Sequence, residues 1–203
     1  MYCSVTYLSM APGMVPGALE SIKKAYGELG LASRLVSVFY SEIGQLNRVL
    51  VLHVSEDLAR LAADQEKILA AKAPLGVDEN LDAVSCELFK VFEGTDVLEQ
   101  ESASPLYEVR TYQLHSGGVE PTMAAWHKVI KQRKEVSPLT VVMHAVTGPT
   151  RFMHIWPYES FADRVEKRGK SVEIGIWPPP GGLPHIKSMQ SELFLPVASP
   201  TEA

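Results

Sequence analysis

The sequence predicts an α+β fold made of two tandem ferredoxin-like units, each ordered strand, helix, strand, strand, helix, strand. Two observations predict it. Residues recur at one interval: Tyr2, Thr6, Tyr7, Gly13 and Pro16 reappear as Tyr107, Thr111, Tyr112, Gly118 and Pro121, and Glu87-Leu88-Phe89 reappears as Glu192-Leu193-Phe194, each 105 residues later. Such an interval is too long for a solenoid repeat and suits a small domain. The inner strands are also apolar on consecutive positions, Val49 to Leu52 in the first copy and Phe152, Met153 and Ile155 in the second, so both faces are expected to be buried. A sheet with helices on one face needs a partner on the other. Pairing the two antiparallel sheets into an intrachain α/β barrel would supply it.

The elements follow in order. Tyr2 to Leu8 alternates and is rich in β-formers, and Ala11-Pro12-Gly13 breaks the strand. Pro16 suits the first turn of a helix over 14–29 whose apolar positions Leu19, Ile22, Ala25, Tyr26 and Leu29 keep helical spacing, with Gly30 at its end. Leu35 to Tyr40 and Arg48 to Val54 read as a hairpin with a long loop. Ser55 is the expected N-cap of a second helix with the stripe Leu58, Leu61, Ala62, Ile68 and Leu69, and Asp82 to Phe92 is the closing strand. The second copy gives a strand over 107–114, a helix over 121–134, a hairpin of 140–147 and 151–156 across Gly148-Pro149, a helix over 159–170 and a strand over 190–196. Between the last two lies Trp177-Pro178-Pro179-Pro180-Gly181-Gly182-Leu183-Pro184, whose four prolines allow no regular helix or central strand. These boundaries give a first repeat at 1–93, an acidic linker at 94–105, a second repeat at 106–198 and a tail at 199–203.

Composition excludes several functions. The net charge is −5 with lysines and arginines scattered, so no basic stripe suits nucleic acid. The N-terminus resembles no signal peptide and no apolar stretch approaches a membrane span, so a cytoplasmic protein without membrane insertion is expected. Two cysteines, Cys3 and Cys86, form no disulfide framework or metal cluster and are read as buried inert thiols. The six histidines show no metal-ligand spacing, and no metal or cofactor is expected. The motifs of serine hydrolases, P-loop enzymes and Rossmann dehydrogenases are missing.

Gly44-Gln45-Leu46-Asn47-Arg48-Val49, Tyr107-Glu108-Val109-Arg110-Thr111-Tyr112 and the set Arg151, His154 and Trp156 together resemble the NIPSNAP family, in two tandem copies over nearly the whole chain. The resemblance implies the dimeric α/β-barrel superfamily, whose other members include cofactor-independent monooxygenases of aromatic or quinone compounds, haem-degrading enzymes and dehydratases. The first copy departs from the pattern: Arg48 is kept, Val51 stands where the histidine would be, and His53 replaces the tryptophan.

Candidate catalytic residues are His154, Arg151 and His144. A neutral imidazole can take a proton near physiological pH, and a guanidinium can stabilise the anion left behind. A symmetric hairpin register would place His144 and His154 on opposite faces, whereas a shift by one residue would unite them. The other reading makes them core histidines bonded to carbonyls. Trp156, Phe152, Tyr112, Arg48 and His53 are the candidate substrate-binding residues. Arg48 and Arg151 have an alternative structural role on the carbonyls of their own turns. Trp126 is expected to pack inward and His127 to face solvent. The sequence is therefore compatible with a cofactor-independent oxygenase, isomerase or lyase acting on an apolar or aromatic molecule held between the sheets. The alternatives to this leading reading are a non-enzymatic ligand carrier, including a haem carrier, and a protein-interaction module, and the chain is read as a monomer or a homodimer. The interaction module predicts no cavity of roughly 300–1,000 Å³.

Overall fold

The computed structural model describes residues 1–78, 80–95, 97 and 104–197. Most of the expected linker, 94–105, and the whole tail, 199–203, lie outside the described residues. The α+β class and the repeated element order are both present, in two compact units: Met1–Lys90 with the segment from Phe194 onward, and Val91–Leu193.

In the first unit β1 is Tyr2–Met10, α1 Val15–Ala25, β2 Arg34–Ile43, β3 Arg48–Ser55, α2 Leu58–Ala70 and β4 Leu81–Val91. The strand order is β4-β1-β3-β2, all pairs antiparallel, with Leu8 opposite Val49 and Val84, and Val51 opposite Val38. Ala18 and Ile22 of α1 and Ile68 of α2 pack on Leu8, Val38, Val49 and Val51. Each such Leu, Ile or Val side chain contributes roughly 1.5–3 kcal/mol by leaving water. Val49, Leu50, Val51 and Leu52 are all buried, as their unbroken apolar run requires.

The cap of α2 differs from expectation. Asp57, not Ser55, is the N-cap, its carboxylate accepting from the Ala59 amide at 2.9 Å. Ser55 ends β3, and its hydroxyl accepts from the Asp57 amide at 3.0 Å, orienting the cap from one step upstream. Buried Asp64 of α2 pins the loop before β2 by accepting from the Ala32 and Ser33 amides and from the Ser33 hydroxyl at 2.6 Å. Cys3 is buried, which pushes its thiol up to about 12, and Cys86 bonds Thr6 at 3.5 Å.

In the second unit β5 is Leu106–Leu114, α3 Val119–His127, α4 Ile130–Val136, β6 Val141–Ala145, β7 Arg151–Tyr158, α5 Phe161–Glu173 and β8 Ile186–Pro196. The order β8-β5-β7-β6 repeats that of the first unit. The single helix expected over 121–134 is two helices. Val129 at the junction, β-branched and buried, leaves helical geometry at φ −124°. Strand β8 starts four residues before its expected beginning, continuing a backbone bond from His115 to the His185 carbonyl. Residues 187–190 are exposed, so they carry no apolar alternation that could have revealed a strand. Ser160 caps α5 by accepting from the Asp163 amide at 3.1 Å, and Asp163 reciprocates by accepting from the Glu159 amide.

Candidate functional site

Side chains directly opposite one another in an antiparallel pair share a face, and along a strand every second residue does. In β5 and β7, Glu108 stands opposite Trp156, Arg110 opposite His154 and Tyr112 opposite Phe152. In β6, Val142 stands opposite His154 and His144 opposite Phe152. One face of the second unit therefore carries Glu108, Arg110, Tyr112, His144, Phe152, His154 and Trp156. Trp126 of α3, Ile130 of α4 and Trp177 of the proline-rich loop join Tyr112, Phe152 and Trp156 in one buried cluster on that face.

His154 is at the centre of this cluster and fully buried. Its ring contacts Trp126 at 4.8 Å, Tyr112 at 5.0 Å edge-on, and Trp156 and Trp177 at 5.7 Å each. The Trp156 indole N–H donates to His154 Nδ1. Burial, with Arg110 and Arg133 nearby, holds the imidazole well below its ordinary 6.5, so it is neutral at physiological pH. An indole nitrogen only donates, so Nδ1 is the unprotonated nitrogen and the ring's hydrogen is on Nε2.

A charge cluster adjoins the rings. Glu108, with no exposed surface, receives Arg110 at 3.0 Å, Arg164 at 2.6 Å and the Ser191 hydroxyl, and Arg168 lies 3.8 Å away. Burial alone would raise the Glu108 carboxyl, yet the Arg164 bond and the Arg110 charge hold it below the usual carboxylate range. Arg110 also donates from Nε to the Tyr112 hydroxyl at 2.6 Å. Arg133 of α4 is buried with its guanidinium 4.2 Å from the Trp156 ring centre and 5.2 Å from that of Trp177.

Between this cluster and solvent lies a pocket of about 240 Å³. Its walls include Tyr112, Trp126 and Trp177, the charged Arg110 and Arg168, and Thr122. Trp177 and Pro178, joined by a cis peptide, form part of it, so the proline-rich loop supplies a wall.

The expected site residues divide. His154, Trp156, Phe152 and Tyr112 come together. The β6–β7 register puts His144 on the His154 face, resolving the two alternatives, though His144 neighbours Phe152 and lies outside the pocket lining. Arg151 is not brought to His154. The interval of three residues between them is odd, so they project to opposite faces, and Arg151 Nε donates to the Pro149 carbonyl in its turn at 3.3 Å. Arg48 does the same in the first unit, donating to the Gln45 carbonyl at 3.1 Å and stacking on Tyr7. His53 is buried against Tyr26, with its Nε2 2.7 Å from the Tyr26 hydroxyl. The ring cluster lies under the helices rather than on the opposite sheet face. Trp126 is buried and His127 exposed, as their places on the helix suggested.

Arg110, Arg133, Arg168 and Thr122 were not singled out by the sequence. The even spacing of Glu108, Arg110 and Tyr112 was a readable signal for the first of these. Arg133 and Arg168 lie on helices rich in charge and look like solvated positions. Among the described residues no group of three or more His, Cys, Asp or Glu could hold a metal ion, and no helix is long and apolar enough to cross a membrane.

Comparison with known proteins agrees with this architecture. A solved structure of an anthrone oxidase-like protein aligns with a TM-score of 0.64 at 10% identity, over 97% of this chain and 92% of the other. A protein from Lactobacillus acidophilus described as a candidate monooxygenase aligns at 0.59 and 10% identity, over 96% and 93%. At such identity the likeness is one of fold. A NipSnap homolog from Dictyostelium discoideum is 28% identical over 102 residues, 49% of this chain and 46% of the relative. A NipSnap protein of Caenorhabditis elegans is 30% identical over 106 residues, 48% of this chain and 19% of the relative. The matched region thus spans less than half of each of these relatives. The NIPSNAP family model matches residues 5–82 and again 107–200, most of the chain, and the chain belongs to the NIPSNAP family.

Proposed function

We propose that the second unit is a binding domain for a small, planar, apolar molecule seated in the pocket beside His154. The observation that carries this reading is the 240 Å³ space walled by Trp126, Trp177 and Tyr112. An apolar cavity of about 150 Å³ accepts benzene, so this volume suits one or two fused rings and falls short of a macrocycle such as haem. Aromatic walls favour a flat ligand through stacked and edge-on contacts. The fold shared with an anthrone oxidase-like protein is consistent with an aromatic ligand.

If the bound molecule is turned over, as in an oxygenase, isomerase or lyase, the residues facing it assign the roles. Arg110 and the Tyr112 hydroxyl would stabilise a developing oxyanion from the pocket wall. His154 would act as a neutral donor rather than as the base, because Trp156 occupies the nitrogen that would accept a proton.

The test uses a fortunate distribution: all three tryptophans of the chain, Trp126, Trp156 and Trp177, belong to this site. In a ¹⁵N-correlated spectrum their indole signals report on the pocket alone. Titration with 2-methylnaphthalene should move the Trp126 and Trp177 signals in a saturable way. Indole signals unmoved at the solubility limit of the ligand would refute the reading.

A further inference from the structure

The two units share their element order, yet they differ in how completely their polar groups are bonded. Among the described residues, every buried side-chain nitrogen or oxygen without a hydrogen-bond partner belongs to the second unit. Buried polar groups are normally paired, so a cluster of unpaired ones calls for a physical cause. His154 Nε2 and Arg164 Nε are both in this state, and both are donors. Glu108 Oε2 is the single obligate acceptor among these atoms, while the Thr122 hydroxyl can play either part.

Two of these groups, on Thr122 and His154, stand at or beside the pocket. Thr122 lines it directly with a buried, unpartnered hydroxyl. His154 lies against Trp126 and Trp177, two of the lining rings, and Arg133 stacks on Trp177. Charge points the same way. Arg110, Arg164 and Arg168 surround the one Glu108 carboxylate, three positive charges against one negative, and Arg110 and Arg168 are themselves pocket walls. A cation entering here would meet uncompensated guanidiniums at low dielectric, whereas an anion would complete them.

We propose that the ligand of this pocket is an anion: a small aromatic acid or acidic phenol bound as its carboxylate or phenolate, with the charged oxygen at Arg110, Arg168 and Thr122 and the ring against Trp126 and Trp177. The proposal rests on the reading that the pocket takes a flat apolar molecule and adds the charge of that molecule. It also accounts for the difference between the copies. The first unit has Val51 where the second has His154, and among the described residues no buried side-chain nitrogen or oxygen of the first unit lacks a partner.

Calorimetric titration of the full chain with three ligands of one shape separates the possibilities: 2-naphthoate, neutral 2-naphthamide and protonated 2-naphthylmethylamine. The expected order is naphthoate at least about tenfold tighter than the amide, with the ammonium weakest and the advantage shrinking as salt rises. In Arg168→Gln, a substitution at a partly exposed side chain, the ratio of naphthoate to amide affinity should fall several-fold, and Arg168→Lys should restore much of it. Equal binding of naphthoate and naphthamide, or preference for the ammonium, would overturn the anion proposal and leave the pocket reading intact. Binding of none of the three would overturn both.

Discussion

Replacing Glu108 by Gln is the most informative perturbation of the second unit. The carboxylate is fully buried and is the shared counterion of Arg110, Arg164 and Arg168, so Gln keeps the shape and removes the one negative charge these three guanidiniums face. Breaking a buried ion pair from one side costs about 3–5 kcal/mol. The three arginine side chains keep 10, 17 and 26% of their surface exposed and so retain some hydration, which sets the expected loss near the lower end, about 3 kcal/mol. Urea unfolding at pH 7, followed by far-ultraviolet circular dichroism, measures it as a fall in midpoint at unchanged slope. Because the folded carboxyl titrates below its ordinary value, its contribution is complete above the unfolded value of about 4.3 and is lost as pH falls through the folded one. Protonated Glu and Gln are nearly isosteric, so the gap between wild type and variant should be constant above about pH 5 and close in acid. A gap below about 1 kcal/mol at pH 7 would show that the arginines have another counterion, and one that persists unchanged into acid would show that the loss does not come from the carboxylate's charge.

Two further predictions concern the first unit. Burial lowers His53 to about 4 despite the opposing pull of Asp64. The unfolded chain therefore binds the extra proton first, and stability should fall by about 3 kcal/mol as pH drops from 6.5 toward 4. His154 contributes in the same direction, so the measurement is the difference between wild type and His53→Gln; an identical pH slope in the two would contradict the assignment. Gly76 has φ +83°, and an added Cβ would meet Ala25 Cβ at 2.5 Å and the Ser21 carbonyl oxygen at 3.0 Å. Gly76→Ala should destabilise by more than about 2 kcal/mol, whereas Gly17→Ala, in α1 with nothing within 4 Å, should be neutral or mildly stabilising. Equal midpoints for the two variants would contradict this.

Half of the site was legible and half was not, for a geometric reason. His154, Trp156, Phe152 and Tyr112 sit at even intervals or at matching places on strands, where alternation predicts a common face. Arg151 looked like their companion because it is close in sequence, but its odd interval sends it to the other face and into its own turn. The register of the hairpin decided His144, and register depends on how β6 meets β7 across a loop whose geometry two short runs do not fix. Arg133, Arg168 and Thr122 come from helices, and each helix has to be rotated correctly about its axis before any of them can be placed.

The sequence by itself determined the recurrence of residues at one interval, the strand and helix order of each unit, the apolar strands that form its core and the break imposed by four prolines. These follow from local preference, periodicity and self-similarity, which need no knowledge of distant contacts. Only the tertiary structure decided that Asp57 rather than Ser55 caps α2, that the helix after β5 divides at Val129, and that Trp177 folds into the ring cluster. It alone decided that one buried carboxylate would gather three arginines from β5 and α5. Those outcomes depend on which side chains, far apart in the chain, compete for the same buried space and the same unpaired charge, and that competition is settled only when the elements pack.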